Sequence, residues 1–144
     1  MSNKYSEKNN AVWEWVKTYT DFDKLFYNFC RAEDGNKNFI PNPTDINIRE
    51  YIDGSKLKYY DFAITSFSRF SDIPDSDENL LDFNQMNDFI EWIDTQNKNK
   101  NYPKFSSNCN IIKIKSLNNN PSVSSDNKDL AKYMVQCRIE YEEY

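Results

Sequence analysis

The residues whose types and spacing could support chemistry are few. Two carboxylate pairs, Asp21/Asp23 and Asp126/Asp129, could divide general-acid and general-base work between them. The acidic run SDIPDSDEN (71–79) could offer oxygen ligands to a hard cation. Three thiols, Cys30, Cys109 and Cys137, could act as nucleophiles or metal ligands. Each falls short of what its chemistry needs. The acidic run lacks the ordered acids, central glycine and closing Glu of a calcium loop, so it reads as the solvated amino end of a helix. Nothing in the sequence brings either carboxylate pair to a pocket. The cysteines are odd in number, far apart and without a C-x-x-C pair, which reads as reduced, structural thiols of a cytoplasmic product.

Two absences narrow the chemistry further. The chain has no histidine, which removes the commonest general base, the commonest metal ligand and the usual partner of a nucleophilic Ser or Cys. It has only two glycines, Gly35 and Gly54, so the glycine-rich phosphate cradles of P-loop and dinucleotide sites cannot be built in their usual form. No catalytic residue, metal or cofactor is expected, and a binding or assembly role follows by elimination. Phe39 and Ile40, in FIP, are apolar groups among polar neighbours that must either fold back or meet a partner. Trp13, Trp15 and Trp92 read as core or interface anchors rather than ligand stackers.

The elements that must position these residues can be followed along the chain. Val12, Trp15, Val16 and Tyr19 recur at helical spacing and predict a first helix over 6–19. DKLFYNFCRA is dense in strand formers, whereas EDGNKNFIPNPTD, with Gly35, Pro41 and Pro43, reads as a loop. INIREYIDGSKLKYYDFAITSF reads as a hairpin: Ile46, Ile48 and Ile52 on one face, a turn at Asp53-Gly54, and a long central strand from Leu57 to Phe67. On that strand Tyr60, Phe62 and Ile64 share one face, and Tyr59, Ala63 and Phe67 the other. Phe83, Met86, Ile90 and Ile93 predict a second helix over 80–98, acidic at its amino end and basic at its carboxyl end. NCNIIKIKSL is a short strand ahead of a polar stretch.

The closing run LAKYMVQCRIEYEEY alternates strictly. Ala131, Tyr133, Val135, Cys137, Ile139 and Tyr141 point one way, and Lys132, Met134, Gln136, Arg138, Glu140 and Glu142 the other, the pattern of a strand buried on one side. The whole predicts one α+β domain over 1–144: a mostly antiparallel sheet of four to five strands with two main helices packed on one face. At 144 residues a core is affordable without metal or disulfide, and 10 Phe, 10 Tyr and 3 Trp dominate it. A net charge of −5 argues against sequence-specific DNA binding. A polar amino end and the lack of any long apolar run predict neither a signal peptide nor a membrane span.

Four blocks carry a resemblance: NFCRAEDGNKNFIPNP, REYIDGSKLKYYDFAITSF, FIEWIDTQNKNKNYPKF and LAKYMVQCRIEYEEY. In order and spacing the chain resembles, from about residue 10 onward, the tail terminators of tailed phages and prophages of Gram-positive bacteria, often labelled minor capsid proteins. YIDGSKLKYYDFAI and WIDTQNKNKNYP are the most specific parts.

The resemblance implies a structural, non-enzymatic protein of virion assembly. Its copies would form a hexameric ring on the last ring of tail-tube protein, stop tube polymerisation and offer a surface to head-completion proteins in head–tail joining. Sheath protein would be a further partner if the tail is contractile. The place implied is the head-proximal end of the virion tail, assembled in the host bacterial cytoplasm. Six domains of radius of gyration roughly 14–15 Å leave a hole that duplex DNA can traverse without sequence-specific binding. On this reading Gln136, Arg138, Glu140 and Glu142 face neighbours or solvent, and Phe39 and Ile40 make a ring or tube contact. The alternatives are a head–tail connector or stopper, and a small-ligand enzyme using carboxylates.

Overall fold

In the computed structural model the described residues are 4–22, 24–27, 36–41, 46–69, 78–125 and 130–144. They form helices α1 (Lys4–Val16) and α2 (Glu78–Lys98). The strands are β1 (Leu25–Tyr27), β2 (Lys37–Pro41), β3 (Ile46–Glu50), β4 (Lys56–Arg69), β5 (Cys109–Ser116), β6 (Ser122–Ser125) and β7 (Leu130–Glu143). All seven strands join one sheet of order β1-β2-β4-β7-β5, with β3 beside β2 on the outer edge of β4 and β6 beside β5 on the outer edge of β7. Every pairing is antiparallel except β1 with β2, so the expected α+β architecture and mostly antiparallel sheet stand.

The spine is the β4–β7 pair, in unbroken register from Lys56↔Glu143 to Arg69↔Leu130. Strict alternation in β7 explains its length: Tyr133, Val135, Cys137, Ile139 and Tyr141 are all buried, facing Phe62 and Ile64 of β4 on the same side. Both helices cover that side. Val12 and Val16 of α1 and Met86, Phe89 and Ile93 of α2 are buried in one cluster with them. Between the helices runs an aromatic seam in which Trp92 lies against Trp15, Tyr19 and Phe89 at centroid distances of 4.8, 5.3 and 5.6 Å. The tryptophans are thus core anchors, with Trp13 set against Tyr27 and Phe39. Burial pushes the Tyr19 hydroxyl up to about 12 and raises the Cys137 thiol well above its ordinary value, which keeps that thiol protonated and inert.

Side-chain caps close the ends of the elements. Helix α2 stops at Lys100, which takes a positive φ of 55°. There Asn101 N–H donates to Gln96 O and Lys100 N–H to Asn97 O, a Schellman pair that satisfies two terminal carbonyls. Trp15 Nε1 donates to Asn101 O at 2.9 Å, tying that cap to α1. Asn97 Oδ1 accepts from Ile114 N–H at 2.9 Å and Tyr102 Oη donates to Ile112 O at 3.3 Å, so side chains occupy part of the outer edge of β5. Asn118 bridges the gap between β5 and β6 by accepting from Gln136 N–H and donating to Met134 O.

At the bottom of the core face Lys8 and Lys58, both almost fully buried, hold Glu143 between them at 3.0 and 3.3 Å, and Lys8 Nζ sits 4.8 Å from the centroid of the Tyr141 ring. Burial raises the pKa of Glu143, but hydrogen bonds and charge from the two lysines together outweigh it and leave the carboxyl below its ordinary value.

Several expectations change. The sheet has two strands beyond the five the sequence reading supports: β2 lies in the run read as a loop, and β6 in the polar stretch. Both are strands because a long neighbour, β4 or β7, supplies their hydrogen bonds, and local pattern does not report that. The β3–β4 connection is a three-residue loop, Ile52-Asp53-Gly54, closed by Gly54 N–H to Tyr51 O and Tyr51 N–H to Ser55 O. Its last residue requires glycine, at φ 90°. Asp53 Oδ1 accepts from Ser55 N and Oγ. Ile52 is therefore in the loop and fully exposed, not on a strand face with Ile46. Ile48 is exposed too, beside a register shift between Asn47 and Arg49. Cys30, Gly35, Asp23, Asp126, Asp129 and residues 71–77 of the acidic run lie outside the described residues, as do 28–30 of the first expected strand.

Candidate interaction face

The helices leave the second face of the sheet uncovered by either of them, and that face carries most of the residues singled out from the sequence. Because side chains in a strand alternate, each outward residue of β7 stands beside an outward residue of β4. The rungs are Leu57/Glu142, Tyr59/Glu140, Asp61/Arg138, Ala63/Gln136, Thr65/Met134 and Phe67/Lys132. Gln136, Arg138, Glu140 and Glu142 thus share one face, as the alternation predicts.

Arg138 is not a free cation. Its Nε and Nη2 donate to Asp61 Oδ1 and Oδ2 at 2.9 and 3.0 Å, a two-pronged pairing that holds the guanidinium flat. The same guanidinium lies 4.3 Å from the centroid of Tyr59. The hydrogen bond to Asp61 raises its pKa further above the usual arginine value. Glu140, one rung away, faces Lys113 at 3.5 Å and Lys115 at 3.9 Å on β5, which arrive there because Lys113 and Lys115 register with Glu140 and Arg138. The result is a ladder of alternating charge with its side chains held in place.

Beside this ladder is a cleft of about 320 Å³. Its floor is the rung Ala63/Gln136, where the small Ala63 leaves a depression. Ile40 and Pro41 of β2 form one wall, Leu117 the other, and the Asp61–Arg138 pair closes one end. The walls are apolar and the end is charged, so the cleft suits an aliphatic group carried on a polar backbone better than an ionic ligand.

Phe39 corrects an expectation. Offered with Ile40 as a ring or tube contact, it is wholly buried on the opposite face, 5.7 Å from Trp13, 5.6 Å from Tyr27 and 5.4 Å from Phe62 between ring centroids. The reason is the strand itself: in β2 adjacent residues point to opposite faces, so one folds back and only Ile40 reaches the cleft. Asp61, Lys113, Lys115 and Leu117 were missed by the sequence reading, which placed Tyr59 on this face without giving it a part in the site. Asp61 sits at the right period between Tyr59 and Ala63, but its pairing with Arg138 depends on a register between strands about seventy residues apart.

Among the described residues two carboxyls have displaced pKa values, and neither stands on the rungs of this face. Asp53, in the hairpin loop, is lowered by hydrogen bonds from Ser55, and Glu143, on the core face, by Lys8 and Lys58. No three His, Cys, Asp or Glu side chains among the described residues converge as a metal site requires. No described helix is long and apolar enough to cross a membrane.

A double-mutant cycle on Arg138→Ala and Asp61→Ala measures how rigid the ladder is. The half-buried, two-pronged pair is expected to show a coupling of about 1–2 kcal/mol by urea unfolding, above the usual value for a solvent-exposed ion pair. A coupling near zero would mean the guanidinium is free to serve a partner. No protein-family model matches this chain, and no curated protein matches it.

Proposed function

We propose that the chain is a structural subunit of a phage tail or tail-like particle that caps the tail tube as a ring, ends tube growth and presents a second surface to head-completion proteins. The observation that supports this best is the asymmetry of the sheet. One face is closed by both helices. The other carries an ion-paired surface over the Tyr59–Ala63 and Gln136–Glu142 stretches of the two longest strands, with a cleft walled by Ile40, Pro41 and Leu117 beside it, while Thr65 and Phe67 farther along the same row are buried. A subunit working in a ring between two unlike partners needs a stiff body and chemically different sides, and head-to-tail contact between copies keeps those sides distinct after closure. Three of the four blocks of the sequence resemblance fall on elements that build this body, the β3–β4 hairpin, the end of α2 with its cap, and β7; the first covers β2 and otherwise lies mostly outside the described residues.

The test is growth of purified tube protein with and without the chain. Added chain is expected to shorten tubes in proportion to its concentration, and light scattering of the mixture is expected to show a species of about six copies bound to tube ends. An unchanged length distribution, with the chain free in solution, rejects the reading.

A further inference from the structure

The tip of the β3–β4 hairpin is the least buried apolar point among the described residues. Ile52 occupies the first position of the Ile52-Asp53-Gly54 loop with its side chain wholly in solvent, a place where short polar residues are the usual choice. A single exposed aliphatic residue needs no explanation. Ile52 is not single: Tyr51 and Tyr144 border the same surface, Tyr144 is well exposed, and Ile48 lies on the adjoining edge strand.

The cleft described above is the complementary feature. It is concave, walled by Ile40, Pro41 and Leu117, and floored by the smallest side chain of β4's outward row. Knob and cleft cannot meet within one molecule, since about seven residues of extended strand, or roughly 23 Å, separate Lys56 from Ala63. Charge points the same way. Asp61 and Arg138 balance each other at the cleft itself, but within two rungs of its floor the outward face adds Lys132 and, on β5, Lys113 and Lys115 against Glu140, although the chain as a whole is net negative. At the tip Glu50, Asp53 and Glu142 outnumber Arg49 and Lys56.

We infer that Ile52 of one copy docks in the Ile40–Pro41–Leu117 cleft of a second copy of this chain, the acidic tip lying over the cationic rim. The two surfaces are different parts of one subunit, so the contact is heterologous and propagates from copy to copy until the rotation closes it. The inference deepens the ring reading and rests on it for closure. The contact itself is a property of the chain alone.

The experiment is photo-crosslinking of the full chain carrying p-benzoylphenylalanine in place of Leu117, a half-exposed residue of the cleft wall outside the buried core, where the probe keeps an apolar wall. Irradiation of a concentrated solution is expected to give interchain products, with the crosslink mapped by mass spectrometry to the peptide containing Ile52. Ile52→Asp in the same background removes the buried aliphatic group and is expected to lower the yield about tenfold or more. Gln136→Trp, which fills the floor from an exposed position, is expected to do the same. Circular dichroism of each variant should match that of the wild type. Absence of interchain product, products mapped elsewhere, or a yield insensitive to both substitutions overturns the contact. Tubes shortened by a chain that gives no such product would retire the contact and leave the cap reading standing. A crosslinked ladder from a chain that leaves tube length unchanged would do the reverse.

Discussion

Phe39→Ala is expected to destabilise the fold by about 3–5 kcal/mol, the range for removing a fully buried aromatic ring whose surroundings cannot collapse into the space. Phe39 sits where the short strand β2, paired between β1 and β4, meets α1, with Trp13, Tyr27 and Phe62 around it. Losing its ring would open a cavity among three aromatic neighbours and loosen the hold of β1 and β2 on the sheet. Ile40→Ser, one residue along and on the other face, is expected to cost about 1 kcal/mol or less, since that side chain is only partly covered. Urea unfolding of the two variants measures the difference. Equal, small losses would mean that Phe39 does not occupy the core and is available as a contact after all. The pair also separates folding from assembly. Under the proposed ring reading, a ring defect in Ile40→Ser with unfolding unchanged is a surface effect, whereas the same defect in Phe39→Ala is assigned to folding by its loss of stability.

Glu143→Ala is expected to cost about 1–3 kcal/mol, because it removes the charge-assisted hydrogen bonds that the nearly buried Lys8 and Lys58 both donate to this carboxylate. This interaction joins the amino-terminal helix to the ends of β4 and β7, so hydrogen exchange in α1 should accelerate most. The linked pH dependence has a definite sign. Glu143 titrates below its ordinary value of 4.5 in the folded protein, so its contribution is fully present above that value and is lost as pH falls through the lower, folded one. Wild type should therefore lose more stability than Glu143→Gln on acidification below about pH 4. Parallel pH profiles for the two proteins would show that the lysines do not depend on this carboxylate.

Both predictions bear on the interaction face. On the proposed reading, a cap that meets unlike partners on its two sides gains from a body whose outward groups are already fixed, since less side-chain freedom is lost on contact. The Asp61–Arg138 fork and the Lys113/Lys115–Glu140 pairing supply that fixity on the helix-free side, and the Lys8–Glu143–Lys58 cluster anchors the opposite side. Arg138→Glu consequently reports on more than assembly. It places a third carboxylate beside Asp61 and Glu140, so any loss of ring formation has to be read together with the stability of the variant.

The periods in the chain were enough to determine both helices, the hairpin with its Gly54 turn, the central place of β4 and the two faces of β7. In each of these the burial pattern is written in consecutive residues: a repeat of about 3.6 in α2, a repeat of two in β7. Tertiary structure alone decided the rest. β2 and β6 are too short and too polar to announce themselves, and they become strands only because β4 and β7 offer unpaired edges. Phe39 and Ile40 look alike in sequence and part company only when a strand turns them to opposite faces. Asp61 finds Arg138, Lys113 finds Glu140, and Ile40 and Leu117 come to wall one cleft, through registers between segments distant in the chain. Local sequence can specify which side of an element is apolar, but which side chains become neighbours across a sheet is set by how the strands align, and that alignment belongs to the whole fold.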